Sequence, residues 1–338
     1  MCLTFPMSDK TRGRKLLILA LAVVLMAVPG LILTALGLNN LVSVWSMGSV
    51  AGFLALMSGG SRIAAVVVPA LLVCMPLAVW GSESPWLGAV LLTVTAAAAS
   101  YPARWSRDTG TNWALIALAT TTADPPDLGH AWTMRDLLLI GAVAALAALW
   151  GIGMAVAGGS RGPTKPSAGV GQSQALAFAL IKAVSVGATT WAVIDLHLGL
   201  AGGWMIMTVI LVVKPSIGDT WTRTLQRAAG TFAGFVLAFI VGVVIPWGVV
   251  VYAVGTLLLV TALVLRTKGI SYWRYVALMT PSVVLMEGAN GAVITTDIER
   301  LGATLIGVAI SLGVVAIMRP IHRAMVAARP EPNAVHTR

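Results

Sequence analysis

Long apolar runs separated by short polar segments make up nearly the whole chain. Most of the runs are close to the roughly 20 residues of helix that cross about 30 Å of hydrocarbon. Because backbone polar groups must be satisfied inside lipid, the pattern predicts α-helices. We identify twelve runs: 16–38, 41–57, 63–80, 86–101, 113–122, 137–157, 175–194, 204–213, 228–245, 249–265, 272–285 and 301–318. The fifth, eighth and eleventh are short for a complete span.

Composition agrees with this pattern. The chain has 338 residues, of which 58% are hydrophobic and only 10% are charged. A soluble domain carries about 25% charged residues, so the sequence predicts an all-α polytopic membrane protein. The first apolar run is longer than the core of a signal peptide, which has roughly 7–15 residues. We therefore expect this run to be an uncleaved first helix.

The basic residues are concentrated in alternate loops, which places them on one side of the predicted membrane. If the N-terminus is cytoplasmic, 19 of the 22 lysines and arginines fall in cytoplasmic segments or, in the case of Arg274, at the cytoplasmic end of a run. Arg135 and Arg300 fall in outer segments, and Lys182 lies within a run. This asymmetry follows the positive-inside rule and favours membrane topology over nucleic-acid binding. We expect twelve spans in a bacterial cytoplasmic membrane, both termini in the cytoplasm, contact with lipid and scope for homo-oligomers.

The second half of the chain echoes the first at an almost constant offset. The segment TNWALIALAT around Trp113 resembles SYWRYVALMT around Trp273. Similar offsets separate Trp45 from Trp204, Arg62 from Arg223, and Arg135 from Arg300. The sequence thus predicts two parallel six-helix repeats. Their bounds are 1–160 and 173–320, with a cytoplasmic linker at 161–172 and a cytoplasmic tail at 321–338.

A short basic hinge joins the eighth and ninth runs. Lys214 and Pro215 should end the eighth helix, because proline interrupts helical hydrogen bonding. The segment DTWTRTLQR that follows predicts a short interfacial helix with opposed faces. Gly230 and Gly234 form a small-xxx-small pair that allows two helices to approach closely in lipid.

The hinge and its flanks carry a family resemblance. A Trp opens a short helix, Pro-Ser ends it, and an Arg precedes Arg-x-x-Gly-Thr-x-x-Gly. These positions are Trp204, Pro215, Ser216, Arg223, Arg227, Gly230, Thr231 and Gly234. The segment ERLGATLIGVAI repeats part of the pattern with Arg300, Thr304 and Gly307. The second half therefore resembles the fusaric acid resistance protein-like family (aromatic acid exporter family), whereas Ser61-Arg62 is the one trace in the first half.

The resemblance implies a secondary exporter of aromatic carboxylates or related amphipathic organic anions, driven by the proton motive force. An anion channel of the same fold is one alternative. A non-transporting scaffold or regulatory subunit of a cell-envelope complex is another.

Basic and hydroxyl-bearing residues are the candidates for substrate binding. Lys182 lies inside a span, where ionisable groups are costly, although it could instead snorkel to the interface as an anchor. The other basic candidates are the hinge residues Lys214, Arg223 and Arg227, which could equally set topology, and the outer pair Arg135 and Arg300. Arg135 and Arg300 either pair with Asp136 and Glu299 or guide anion release. The hydroxyl candidates are Thr120 and Thr121, with Thr122 and Asp124 beside them, and Thr280 in the corresponding eleventh run.

Two carboxylates are candidates for proton coupling. Asp195 and Glu287 lie near the outer ends of the seventh and eleventh spans, and burial would raise the pKa of either. Alternatively, they are solvated loop residues. The four histidines have no metal-ligand spacing, and no phosphate-binding or nucleophile motif occurs. We therefore expect neither enzyme activity nor a cofactor nor a metal.

Overall fold

The computed structural model describes residues 28–30, 32–33, 35–105, 108–157, 169–267, 270–287 and 293–327. Most of the predicted first span 16–38 lies outside these residues. So do residues 161–168 of the predicted linker and residues 328–338 of the predicted tail. Within the described residues the chain is helical and contains no β-strand, which confirms the prediction of an all-α protein.

Each predicted run after the first coincides with a helix, within a few residues at most ends. In chain order the helices are α1 (Val42–Gly59), α2 (Ser61–Gly81), α3 (Pro85–Ser100), α4 (Asp108–Ala123), α5 (Met134–Ala157), α6 (Gln172–Asp195), α7 (Gly199–Val212), α8 (Ile217–Val244), α9 (Gly248–Thr267), α10 (Tyr272–Glu287) and α11 (Val293–Ala327). Short 3₁₀ turns precede α1 and follow α3. The apolar pattern locates helices well because each span must bury its backbone polar groups within itself.

Seven described helical segments are long and apolar enough to cross a membrane. They are α1, α2, α5 and α6, together with Pro85–Trp105, Gly218–Val244 and Ile298–Ile317. α7 and the segment Val250–Leu259 of α9 are apolar but shorter. The chain is therefore a polytopic helical membrane protein.

The outer surface of the bundle is apolar. Large side chains such as Leu138, Leu180 and Val244 are 64%, 66% and 70% exposed, as expected for a surface solvated by lipid. Six exposed tryptophans lie at or near helix ends, where indole rings favour the membrane interface. They are Trp80, Trp86, Trp105, Trp221, Trp247 and Trp273, whereas the exposed Trp150 lies within α5.

Two short helices lie in the middle of the bundle. α4 and α7 have 16 and 14 residues, so they are about 24 and 21 Å long. They pack against each other, and between them they contact α1, α2, α3, α6, α8 and α11. Their residues are buried on nearly all sides, which is the pattern of a helix enclosed by other helices.

The basic hinge ends α7 as predicted, but the segment after it is not a separate helix. α7 ends at Val212, and Ser216 caps α8 by accepting a hydrogen bond from the Asp219 backbone N–H at 3.3 Å. The predicted short interfacial helix is wrong, because α8 continues without a break through this segment. Its buried positions recur at helical spacing: Thr220, Thr224, Arg227, Thr231, Gly234 and Ala238.

Gly230 and Gly234 lie where α8 crosses α10. A Cβ atom at Gly230 would be 2.5 Å from the carbonyl oxygen of Trp273, and one at Gly234 would be 2.7 Å from the Cβ of Thr280. Only glycine allows this approach. The paired contacts also show that α8 and α10 run in the same direction.

Candidate functional site

The buried charged side chains of the described residues are all basic. Lys182 is 0% exposed, and Arg227 and Arg300 are each 5% exposed. No Asp or Glu is buried in the described part of the chain. Since burying an ionised group is costly unless it is paired or hydrogen-bonded, these three residues mark the candidate functional regions of the bundle.

Lys182 links the two halves of the bundle. Its Nζ atom donates a hydrogen bond to Oδ1 of Asn112, 2.7 Å away, and lies 5.4 Å from the ring centroid of Phe178. Lys182 and Phe178 are on α6, whereas Asn112 is on α4. The interpretation of Lys182 as a snorkelling anchor is wrong, because a fully buried ammonium does not reach the interface. Asn112 was not predicted as a functional residue from the sequence. The signal that could have identified it is a polar amide near the start of a short apolar helix.

Arg300 packs on Trp204. Its guanidinium carbon is 4.9 Å from the centroid of the Trp204 ring, a distance at which cation–π attraction is favourable. Arg135 is exposed at the start of α5, so the two arginines that were predicted as an equivalent outer pair have different environments.

The acidic neighbours of this predicted outer pair differ in exposure and in their contacts. Glu299 is exposed, whereas the adjacent Arg300 is buried. Asp136 accepts hydrogen bonds from the backbone N–H and the hydroxyl of Thr133, at 3.0 and 2.6 Å. Asp136 therefore takes part in capping the start of α5 through its hydrogen bonds with Thr133.

The hinge arginines have different environments although they are one turn apart. Arg223 is partly exposed, with its guanidinium carbon 4.4 Å from the ring centroid of Tyr272. Arg227 points into the bundle, and its Nε has no hydrogen-bond partner among the described residues. Lys214 is partly exposed, and its backbone N–H donates to the Thr220 hydroxyl at 2.9 Å. Arg227 is thus the hinge residue that lies inside the protein.

Two buried threonines accompany the buried arginines. Thr231 follows Arg227 by four residues, and Thr304 follows Arg300 by four. Each threonine is 1% exposed, and neither hydroxyl has a hydrogen-bond partner among the described residues. Both were recognised in the sequence as parts of the family pattern, but neither was selected as a site residue.

The predicted hydroxyl site, at the end of α4 and in the middle of α10, is not an unwound segment. Both helices are continuous, and Pro281 lies within α10. The Thr120 hydroxyl donates to the carbonyl oxygens of Ile116 and Ala117, both at 3.0 Å. Thr121 and Thr280 are buried, and the Thr122 hydroxyl bonds back to Leu118. The expected unwinding is therefore wrong, and the hydroxyls of Thr120 and Thr122 bond within their own helix.

The acidic candidates for proton coupling were expected to be buried, and the structure describes the side chain of one of them, Asp195. Asp195 is the last residue of α6 and is exposed, so it does not meet the condition of burial on which its proton-coupling role depended. The side chain of Glu287 lies outside the described part of the structure. Asp124 follows α4, and partial burial of its carboxyl raises the pKa of this group.

An apolar groove on the outside of the bundle does not fit an anionic ligand. It is lined by Trp45, Leu146, Leu149, Trp150, Gly153 and Met154 of α1 and α5. This lining carries no charged side chain, which is the character of a surface in contact with lipid tails.

Comparison with known proteins gives a family match in the second half of the chain. Residues 188–314 match the family model described as fusaric acid resistance protein-like, which confirms the resemblance identified in the sequence. The match includes both buried arginines, Arg227 and Arg300, and both buried threonines, Thr231 and Thr304. No curated protein and no solved structure matches the chain. The family match and the apolar helices together indicate a membrane transporter-like protein.

Proposed function

We propose that this transporter-like membrane protein exports aromatic carboxylates or related amphipathic organic anions, driven by the proton motive force. The observation that carries the proposal is the sign of the buried charge. Lys182, Arg227 and Arg300 are buried in the bundle, and no buried carboxylate accompanies them among the described residues. Such an interior favours anions over cations.

The energetic reason is the cost of an ionised group away from water. Ionisable residues inside a membrane face the bundle interior and mark ion or substrate pathways. A guanidinium also presents donors that match the two oxygens of a carboxylate. An organic anion that enters the bundle would accept hydrogen bonds from Arg227, whose Nε has no hydrogen-bond partner among the described residues.

The proposal includes a topology of twelve spans in two parallel repeats, 1–160 and 173–320, with both termini in the cytoplasm of a bacterial cell. Recurrent helix packing supports the repeats. The contacts α1–α5, α2–α5, α2–α4 and α3–α4 in the first half have counterparts α7–α11, α8–α11, α8–α10 and α9–α10 in the second. Alternating access would then be a movement of one half against the other.

Proton coupling is the part of the proposal that needs a carboxylate. Since Asp195 is exposed, Glu287 at the end of α10 is the remaining candidate from the sequence. Asp124 is a further candidate, because its raised pKa brings its protonation closer to neutral pH.

The test is uptake of labelled benzoate and 4-hydroxybenzoate into everted membrane vesicles, with and without a proton gradient. Vesicles that lack the protein and vesicles treated with a protonophore are the controls. Gradient-dependent uptake that requires the protein is the expected result. Protein-dependent uptake that ignores the gradient would establish the channel alternative. The absence of uptake over a broad panel of aromatic acids would favour the scaffold alternative.

A further inference from the structure

α8 and α11 carry the same buried pattern. Arg, Thr and Gly recur at the spacing Arg-x-x-x-Thr-x-x-Gly in both helices. The members on α8 are Arg227, Thr231 and Gly234, and those on α11 are Arg300, Thr304 and Gly307. Both arginines are 5% exposed and both threonines 1% exposed. Residues four apart lie on one face of a helix, so each helix presents a guanidinium with a hydroxyl one turn further along.

The two threonines differ from other buried hydroxyls on the same helices. Thr224 of α8 donates to the carbonyl oxygen of Thr220 at 2.7 Å, and Ser311 of α11 donates to that of Gly307 at 2.8 Å. This bond to the preceding turn is the ordinary solution for a hydroxyl in a helix. Thr231 and Thr304 have no hydrogen-bond partner among the described residues, and neither does the Nε of Arg227. Three buried donors thus remain without a described acceptor.

Contacts along α7 set the directions of the helices. Arg300 lies against Trp204, and a Cβ atom at Gly307 would lie 2.9 Å from the Cβ of Thr208. α11 therefore runs in the same direction as α7. The short turn after α7 reverses the chain, so α8 runs antiparallel to α11, and these two helices pack together.

The same contacts set the heights of the two arginines. The Lys214 backbone lies beside Thr220. Trp204 precedes Lys214 by ten residues along α7, and Arg227 follows Thr220 by seven residues along α8. At a rise of 1.5 Å per residue these are about 15 and 10 Å. Arg227 is thus within about one turn of the level of Trp204, and therefore of Arg300.

We infer that the two Arg-x-x-x-Thr pairs on α8 and α11 together form a binding site for the carboxylate group of an organic anion. Arg227 and Arg300 supply the positive charge, and the hydroxyls of Thr231 and Thr304 donate hydrogen bonds to the carboxylate oxygens. A single carboxylate would accept hydrogen bonds from the three unpartnered donors and would interact favourably with both buried guanidinium groups. This inference rests on the proposed function, because it assigns a binding site to the class of anion that the protein is proposed to export.

The site belongs to the second half alone. At the offset that separates Arg62 from Arg223, the residues of α2 that correspond to Arg227 and Thr231 are Val66 and Ala70. Neither offers a donor. The inference therefore predicts one carboxylate per chain.

The test is equilibrium binding of labelled benzoate to the purified full-length protein in detergent. Thr231→Val and Thr304→Val are the main variants, because valine keeps the shape and removes only the hydroxyl. Each should weaken benzoate binding about tenfold, the effect of losing a hydrogen bond to a charged group. Without ligand, each should melt at or above the temperature of the wild type, since a buried unsatisfied hydroxyl is removed. Arg227→Gln and Arg300→Gln should each weaken binding by at least about tenfold.

Matched controls come from the same helix. Thr224→Val removes a hydroxyl that bonds to its own helix, and Arg223→Gln removes an arginine that packs on Tyr272 outside the site; both should bind benzoate as the wild type does. Benzyl alcohol, which lacks the charge, should not compete. The inference fails if the wild type shows no saturable benzoate binding. It also fails if chloride competes as well as benzoate, or if both Thr→Val variants bind with unchanged affinity.

These outcomes separate the site from the transport function. Benzoate binding with the expected variant pattern, together with vesicles that do not accumulate benzoate, would uphold the site and overturn the exporter. Gradient-driven uptake together with unchanged binding in the Thr→Val variants would uphold the exporter and overturn the site.

Discussion

The ammonium of Lys182 on α6 and the amide oxygen of Asn112 on α4 form a buried hydrogen bond of 2.7 Å. The bond joins residues seventy positions apart and connects the two predicted repeats. Because Lys182 is 0% exposed, the bond solvates a charge that water does not reach.

Replacing Asn112 with Leu should destabilise the protein by about 1–3 kcal/mol, because the buried ammonium loses an acceptor. Adding Lys182→Met should recover much of this loss, since the charge is removed together with its partner. The measurement is SDS-induced unfolding of the two single variants and the double variant in detergent micelles. Additive losses in the double variant would show that the two side chains do not depend on each other.

Gly230→Ala should lower stability by about 1–3 kcal/mol, because the new Cβ would lie 2.5 Å from the Trp273 carbonyl oxygen and force α8 away from α10. Gly302→Ala on α11 is the matched control. No described atom lies within 4 Å of a Cβ built there, and alanine favours helix over glycine by up to about 1 kcal/mol. Melting temperatures of the two variants should move in opposite directions, and equal shifts would contradict the close approach.

The two cation–π pairs should differ in strength. Double-mutant cycles with Arg300→Gln and Trp204→Leu should give a coupling of about 2 kcal/mol, because the pair is desolvated. Cycles with Arg223→Gln and Tyr272→Leu should give about 0.5–1 kcal/mol, because Arg223 is partly exposed. A larger coupling in the second pair would show that burial does not control these contacts.

Membrane topology can be read from single cysteines in a variant with Cys2 and Cys74 replaced by serine. Glu83 lies in a predicted outer loop and Asp219 at the predicted cytoplasmic start of α8, and both are exposed. A membrane-impermeant maleimide should label Glu83→Cys in intact cells, but Asp219→Cys only after permeabilisation. The reverse pattern would invert the topology, and labelling of both in intact cells would contradict the number of spans between them.

Helix positions were predictable because they depend on local chemistry. Each span satisfies its own backbone, and the run of apolar residues marks its extent. Lys214-Pro215 also marked the end of α7 for a local reason. By contrast, the segment after the hinge looks interfacial because exposed Trp221 and Leu225 alternate with basic residues. Its inner face, with Thr220 and Thr224, is covered by other helices, and that burial is not visible in the sequence.

The interior of the bundle was harder to predict because it depends on contacts between distant residues. The run around Lys182 is equally compatible with an anchor and with a buried ammonium, and the choice depends on Asn112, which lies on another helix. Similarly, Arg135 and Arg300 occupy comparable places in the sequence, but only α11 packs beside a helix that presents Trp204 to the guanidinium. The hydroxyls of Thr120 and Thr122 bond to the preceding turn, whereas those of Thr231 and Thr304 have no partner among the described residues, and the residue type alone does not reveal this difference.

The spacing of the tryptophans near helix ends predicts how the helices respond to bilayer thickness. Trp86 and Trp105 bracket α3 and are 19 residues apart, about 28 Å of helix, so α3 matches a bilayer of ordinary thickness while nearly upright. Trp221 lies in the second turn of α8 and Trp247 lies just beyond its end, 26 residues away, or about 39 Å at the rise of a helix, so we expect α8 to tilt more than α3 to place both rings at the interfaces. Changing the length of the acyl chains should therefore alter the tilt of α8 relative to its neighbours, and with it the height of Arg227 on α8 relative to Arg300 on α11.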